Sequence, residues 1–160
     1  MQKAAFQSGI EAFPPALPKP FGAVCVCTRK RPFNEKEVER GALDCVTVMN
    51  PEDMTVHKYV CDLDTSWKVD HTNFPFFDFV FDEKTNNKTI YNCICAPLVK
   101  NLFAEEKRGR ATIFAMGQTG SGKTYTMRAL QEHATAAIFQ NLARWNQGKG
   151  EAGEITCWMR

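Results

Sequence analysis

The chain has 160 residues, 44% of them hydrophobic and 24% charged, with a formal net charge of +2. That balance is typical of a soluble globular domain with one core, and the charge is too mild to expect wholesale binding to nucleic acid or an anionic membrane. No apolar run approaches the roughly 20 residues that span a bilayer, and no basic segment leads into an unbroken apolar core at the N-terminus, so the chain reads as intracellular.

In chain order, Met1 to Pro20 mixes Gln, Ser and Gly with a PPALPKP run. Proline lacks an N–H and fixes φ, so these residues are expected to form a disordered or extended leader to a folded part at 21–160. GAVCVCT, from Gly22 to Thr28, is short and apolar and predicts a strand buried on both faces, ended by the polar RKRPFNEKE. Val46 to Met49 and Thr55 to Val60 are β-prone runs separated by Asn50-Pro51-Glu52-Asp53, which predicts a hairpin. A polar stretch from Asp62 to Asn73 follows, and Phe77 to Asp82 alternates apolar and polar residues like a strand.

Between Thr89 and Phe103, Ile90, Ile94, Leu98 and Leu102 fall four apart along one helical stripe, which Pro97 should kink. After EEKRGR, Ala111 to Met116 reads as a short buried strand leading directly into a glycine-rich segment. A further helix carries Met127, Leu130, Ala134, Ile138, Leu142 and Trp145 on one face, with Gly148 and Gly150 expected to end it and Glu154 to Met159 to open another strand. The order strand, helix, strand, glycine-rich loop, helix, strand predicts an α/β fold.

Cys25, Cys27, Cys45, Cys61, Cys93, Cys95 and Cys157 are odd in number and lack secretory context, so reduced, mostly buried thiols are expected. The two C-x-C pairs do not have the usual zinc-ligand spacing, and no histidine cluster completes such a site.

GQTGSGKT, from Gly117 to Thr124, matches G-x-x-x-x-G-K-[ST] at every fixed position. Gly117, Gly120 and Gly122 allow backbone turns that a Cβ would forbid, bringing successive N–H groups around phosphate oxygens, those of Gln118, Thr119 and Ser121 among them. Lys123 is expected to reach the β- and γ-phosphates of ATP as a point charge. Thr124 offers its hydroxyl to Mg²⁺ at the start of a helix whose dipole favours anions.

The flanking residues narrow the class. FAMGQTGSGKTYTM resembles the kinesin motor signature, CVCTRKRPFNEKE resembles that family's first strand with its R-x-R-P element, and FDFVFDE and APLVKNLF sit where the family has its next strand and first helix. The resemblance implies the three-layer, P-loop NTPase-type α/β fold of kinesin motors. This chain would supply an N-terminal part of the central sheet, with flanking helices and a β-hairpin extension. It also implies that Arg29, Arg31 and Pro32 line the adenine side of the pocket and that Tyr125 packs on the base. Flat guanidinium, pyrrolidine and aromatic surfaces suit such a role.

WKVDHTNF carries Lys68-Val69-Asp70, which resembles the KVD loop at the tip of a hairpin extension in kinesin-13, the microtubule-depolymerising group. By that resemblance these three residues contact tubulin, and the protein belongs with the microtubule cytoskeleton of the cytoplasm, spindle or flagellum. The family's Asn…Ser-Ser-Arg and Asp-Leu-Ala-Gly switch patterns do not occur in these residues, so no catalytic residue is assigned and the chain as written is not expected to hydrolyse ATP. After Met127 the family's glycines and long loop give way to RALQEHATA, expected to join two helical pieces directly. A non-catalytic, tubulin-binding kinesin-like remnant and a different P-loop ATPase remain alternatives. The Asn-Lys-x-Asp guanine motif is absent from this sequence, which favours ATP over GTP.

Overall fold

The structure is a computed structural model that describes residues 24–61, 67–103 and 110–149. The expected leader at 1–20, the strand expected at 154–159, Gly150 and Cys157 lie outside the described residues. The chain divides between Thr85 and Asn86 into two compact units.

The first unit contains β1 (Cys27–Arg29), α1 (Glu35–Glu39), β2 (Val46–Val48), β3 (Met54–Cys61), β4 (Trp67–Phe74) and β5 (Phe79–Phe81). β1 and β5 pair in parallel, with Cys27 opposite Phe79 and Arg29 opposite Phe81. Asp78 N–H to the Val26 carbonyl and Lys30 N–H to the Phe81 carbonyl, both 2.8 Å, bracket the pair. The first strand is shorter and more exposed than its apolar sequence suggests. Val24 and Val26 are exposed, and β1 is half-buried. In β5, by contrast, Phe79, Val80 and Phe81 are all buried, so the alternation expected there gives way to the continuous apolar run of a parallel strand.

β2, β3 and β4 form an antiparallel sheet in that order. The β2–β3 hairpin is the one expected: Asn50 accepts from the amides of Glu52 and Asp53 at 2.8 and 2.9 Å, an Asx turn that reverses the chain. Pro51 of this turn accepts the Val80 N–H at 2.5 Å, tying the antiparallel sheet to β5. β4 is a correction to the sequence reading, because Trp67 to Asn73 was expected to be polar loop and instead pairs with β3 over its whole length, from Trp67 opposite Cys61 to Phe74 opposite Met54. α1 is a second addition. Asn34 accepts the Glu37 N–H at 2.9 Å while the Glu37 carboxylate accepts the Asn34 N–H at 2.8 Å, a reciprocal capping box that starts a helix within RKRPFNEKE.

The second unit contains α2 (Asn87–Ile90), a π-helical turn at Tyr91–Cys95, α3 (Ala96–Leu102) and α4 (Lys123–Lys149). Asn86 caps α2 by accepting the Thr89 N–H at 2.8 Å. The kink expected at Pro97 takes the form of the π turn just before it, where Ala96 N–H reaches back five residues to the Tyr91 carbonyl. Pro97 has no N–H for the Cys93 carbonyl and its ring would collide with it, so widening the turn relieves both problems. The added residue rotates the buried stripe. Ile90, Tyr91, Cys93, Cys95 and Val99 are buried, whereas Leu102, expected on the stripe, is exposed.

α4 packs on α2, the π turn and α3, with Leu130 buried and the Tyr91 and His133 rings 5.4 Å apart. It runs unbroken through RALQEHATA and through Gly148, which lies inside the helix rather than ending it. Of its expected apolar face, Leu130 is buried and Met127, Ala134, Ile138 and Leu142 are half-buried, and the Trp145 side chain lies outside the described residues. No described helix is long and apolar enough to cross a membrane. The six described cysteines are not in disulfides. Only Cys93 and Cys95 are buried, fewer than expected, and burial pushes the Cys95 thiol up to about 11, so it stays protonated and unreactive at neutral pH.

Candidate functional site

Residues Ala111 to Met116 lead into the glycine-rich loop, as expected, but not as a buried strand. The segment has no ladder partner among the described residues, and Phe114 and Met116 are 84% and 93% exposed. β-propensity becomes a strand only when a neighbour supplies the hydrogen bonds, and none of the described strands does so here.

The loop itself has the backbone its sequence demands. Gly117, Gly120 and Gly122 have φ of 147°, 83° and 92°, a region L-residues rarely occupy. At Gly117 a Cβ would lie 2.7 Å from Ser121 Oγ, so a side chain there would have to displace the Ser121 hydroxyl. Ser121 N–H donates to the Gln118 carbonyl at 3.2 Å, closing the curl, and Thr126 N–H donates to the Gly122 carbonyl at 3.1 Å as α4 begins. The first-turn amides of α4 have no intrahelical carbonyl to bond, so together with the dipole of a 27-residue helix they favour an anion at this end.

Lys123 sits in the loop it follows. Its Nζ donates to the Gly117 carbonyl at 2.7 Å and to the Gln118 carbonyl at 2.8 Å. An ammonium has three donors, so the positive head is held over the curl with one donor direction left for an incoming oxygen. Just beyond, Thr124 and Tyr125 line an open groove of about 400 Å³ together with Asn87, Arg128, Ala129 and Glu132. Tyr125 is 66% exposed, so its ring is accessible to a flat ligand. Arg128 and Glu132, one turn apart, pair at 3.1 Å along the groove. A glycine-lined curl, a centred ammonium, a helix N-terminus and a hydroxyl at Thr124 fit the donor set a Mg²⁺-nucleotide requires.

Arg29, Arg31 and Pro32 belong to the first unit, where the side chains are locally engaged. Arg29 Nη2 donates to the Thr85 carbonyl at 3.1 Å. Arg31 donates to the Pro32 carbonyl at 2.9 Å and to Glu37 at 2.5 Å, and this pairing, with the Asn34 amide, holds the Glu37 carboxyl below its ordinary value. Neighbouring Lys30 pairs with Asp44 at 2.6 Å and Glu83 at 3.2 Å. Burial works against its charge, but the two carboxylates outweigh it and raise its pKa. Lys68, Val69 and Asp70 stand within β4 opposite Val60, Tyr59 and Lys58 rather than at a loop tip, all three exposed. Residues 62–66, between β3 and β4, are outside the described residues. The role of Glu37 was not read from the sequence, although Asn34 and Glu37 three apart are the signal that identifies it.

Comparison with known proteins is consistent with this geometry. The family described as the kinesin motor domain matches residues 29–153. A solved structure described as that of a fast kinesin, reported with implications for its ATPase mechanism and its interactions with microtubules, superposes with a TM-score of 0.60 at 27% sequence identity. The match covers 76% of this chain and 33% of that one, so the chain spans about a third of the solved kinesin. The fold is therefore the P-loop NTPase-like α/β fold of kinesin motors, represented here in part, with one parallel and one antiparallel sheet.

Proposed function

The chain belongs to the kinesin motor-domain family, and from that premise we propose that Gly117 to Tyr125 forms the ATP-phosphate site of a microtubule motor. The observation that carries the reading is the loop itself: three glycines at positive φ curl beneath the Lys123 ammonium at the head of α4. Gln118 and Thr119 would contribute backbone amides, and Ser121 its own once it exchanges the Gln118 carbonyl for a phosphate oxygen. Lys123 would turn its charge from loop carbonyls to the β- and γ-phosphates, and Thr124 would hold Mg²⁺ through its hydroxyl. Held there, Mg²⁺ would supply positive charge to offset that of the phosphates. Tyr125, Arg29, Arg31 and Pro32 serve the base. Because Glu37 and Pro32 hold the Arg31 guanidinium in place by one donor of each Nη, its flat face is the surface it would offer a base.

Residues 21–160 act in this reading as one part of a motor domain, localised with microtubules in the cytoplasm, spindle or flagellum. The finer assignment is to the depolymerising kinesin-13 group, with Lys68, Val69 and Asp70 contacting tubulin. Its support is the KVD sequence and the exposure of all three residues on β4.

The test is Lys123→Ala in a protein carrying this segment together with the remainder of a motor domain. Loss of a charge-assisted contact worth about 1.5–3 kcal/mol at each bond is expected to abolish microtubule-stimulated ATP turnover while leaving the circular dichroism spectrum unchanged. Turnover within twofold of the parent would contradict the assignment.

A further inference from the structure

We propose that His57 and His71 form a two-imidazole site for a divalent transition-metal ion of the Ni²⁺, Cu²⁺ or Zn²⁺ class, apart from the nucleotide site. The two residues are 14 positions apart in sequence and are brought face to face by the β3–β4 register, which sets His57 opposite His71. His57 donates its N–H away from β4, to the Cys45 carbonyl at 2.8 Å. The His57–His71 pair is therefore of the non-hydrogen-bonded kind, in which opposed side chains approach most closely.

The rings meet edge to face with centroids 4.9 Å apart, and the two Nδ1 atoms are 2.7 Å apart. Metal–imidazole bonds of about 2.0–2.1 Å place two nitrogens about 2.9 Å apart at a right angle and about 3.3 Å apart in a tetrahedron. Opening the pair by a few tenths of an ångström, with both rings turned so that their Nδ1 lone pairs converge on one point, converts a shared hydrogen bond into a chelate.

Thr47 holds the ring of the first ligand. Its hydroxyl lies 2.7 Å from His57 Nε2. With Nε2–H donating to that oxygen, the Nδ1 lone pair of His57 faces His71. This is the way a hydrogen bond on one ring nitrogen sets the other for a metal. His71 Nδ1 donates to that lone pair in the metal-free state and becomes a ligand when its proton moves to its own Nε2. His71 is exposed and His57 half-buried, so an ion reaches the pair from the His71 side and water completes its coordination. No group of three or more ligating side chains surrounds a common point among the described residues, so the protein supplies two donors. A bound ion would clamp β3 to β4 beside Asp70.

The tag-free full chain is titrated calorimetrically with Ni²⁺. One ion is expected to bind per chain, with affinity at least tenfold lower in His57→Gln and in His71→Gln and unchanged in His133→Gln, which removes the remaining histidine of the three. Thr47→Val, which keeps both rings, is expected to weaken binding about tenfold without changing the stoichiometry. On the unaltered chain, Zn²⁺ is expected to shift the ring C–H resonances of two histidines and leave the third in place. Binding undiminished in both His57→Gln and His71→Gln, or Zn²⁺ shifting none or all three histidines, would overturn the proposal.

Discussion

Glu37 connects three features of the first unit: it completes the capping box of α1, neutralises Arg31, and thereby fixes the plane of a guanidinium proposed to face a nucleotide base. Its pKa is lowered first by the hydrogen bond from Arg31 and then by the Asn34 amide. Because the folded value lies below the ordinary 4.5, these contacts contribute stability above pH 4.5 that is lost as the pH falls through the depressed value. The Glu37 carboxyl, followed by NMR, is expected to titrate below 4.5, and Arg31→Ala should move its midpoint up toward that value. A midpoint at 4.5 that Arg31→Ala leaves in place would show that the pair does not form in solution.

The elements differ in how far their residues announce them. The β2–β3 hairpin is legible because Asn50 to Asp53 codes its turn locally, and the phosphate loop because its glycines are required by backbone geometry alone. β4 is not legible, since Trp67 to Asn73 is exposed and its strand character comes from eight consecutive partners on β3 rather than from an apolar face. Ala111 to Met116 fails in the opposite sense: its composition is that of a buried strand, but no described strand pairs with it. The π turn follows from Pro97, yet the sequence alone places a kink there without saying that one extra residue will rotate the buried stripe from Ile94 to Cys95.

The placement of Lys68 and Asp70 has a consequence for β4. Both lie on one face of the sheet, with Asp70 opposite Lys58, while Val69 lies on the other. Exposed cross-strand contacts of this kind contribute about 0.2–1 kcal/mol each, so replacing all three residues by Ala should leave the sheet folded. On the proposed kinesin-13 reading, that triple replacement in a protein carrying the remainder of a motor domain is expected to slow disassembly of filament ends while basal ATP hydrolysis stays unchanged. A parallel loss of hydrolysis without tubulin would assign these residues to folding or to the nucleotide site.

At the scale of the whole molecule, the chain spans about a third of the kinesin it matches, and it carries the phosphate loop without either family switch pattern in its sequence. Phosphoryl transfer depends on positioning the attacking water and sensing the γ-phosphate, and no residue of this chain is assigned to either task. The loop is also entered by a segment without ladder partners among the described residues, with Phe114 and Met116 in solvent, so the curl is held by its own bonds and by α4. The expected outcome for the 160-residue chain is weak nucleotide binding without turnover. The most direct measurement is a titration of the 160-residue chain with a fluorescent ATP analogue in Mg²⁺, run beside Lys123→Ala and in competition with ATP and GTP. Weak, saturable binding is expected, displaced by ATP in preference to GTP, reduced about ten- to a hundredfold by Lys123→Ala, and without phosphate release. Binding that Lys123→Ala leaves unchanged, or that GTP displaces better than ATP, would contradict the account.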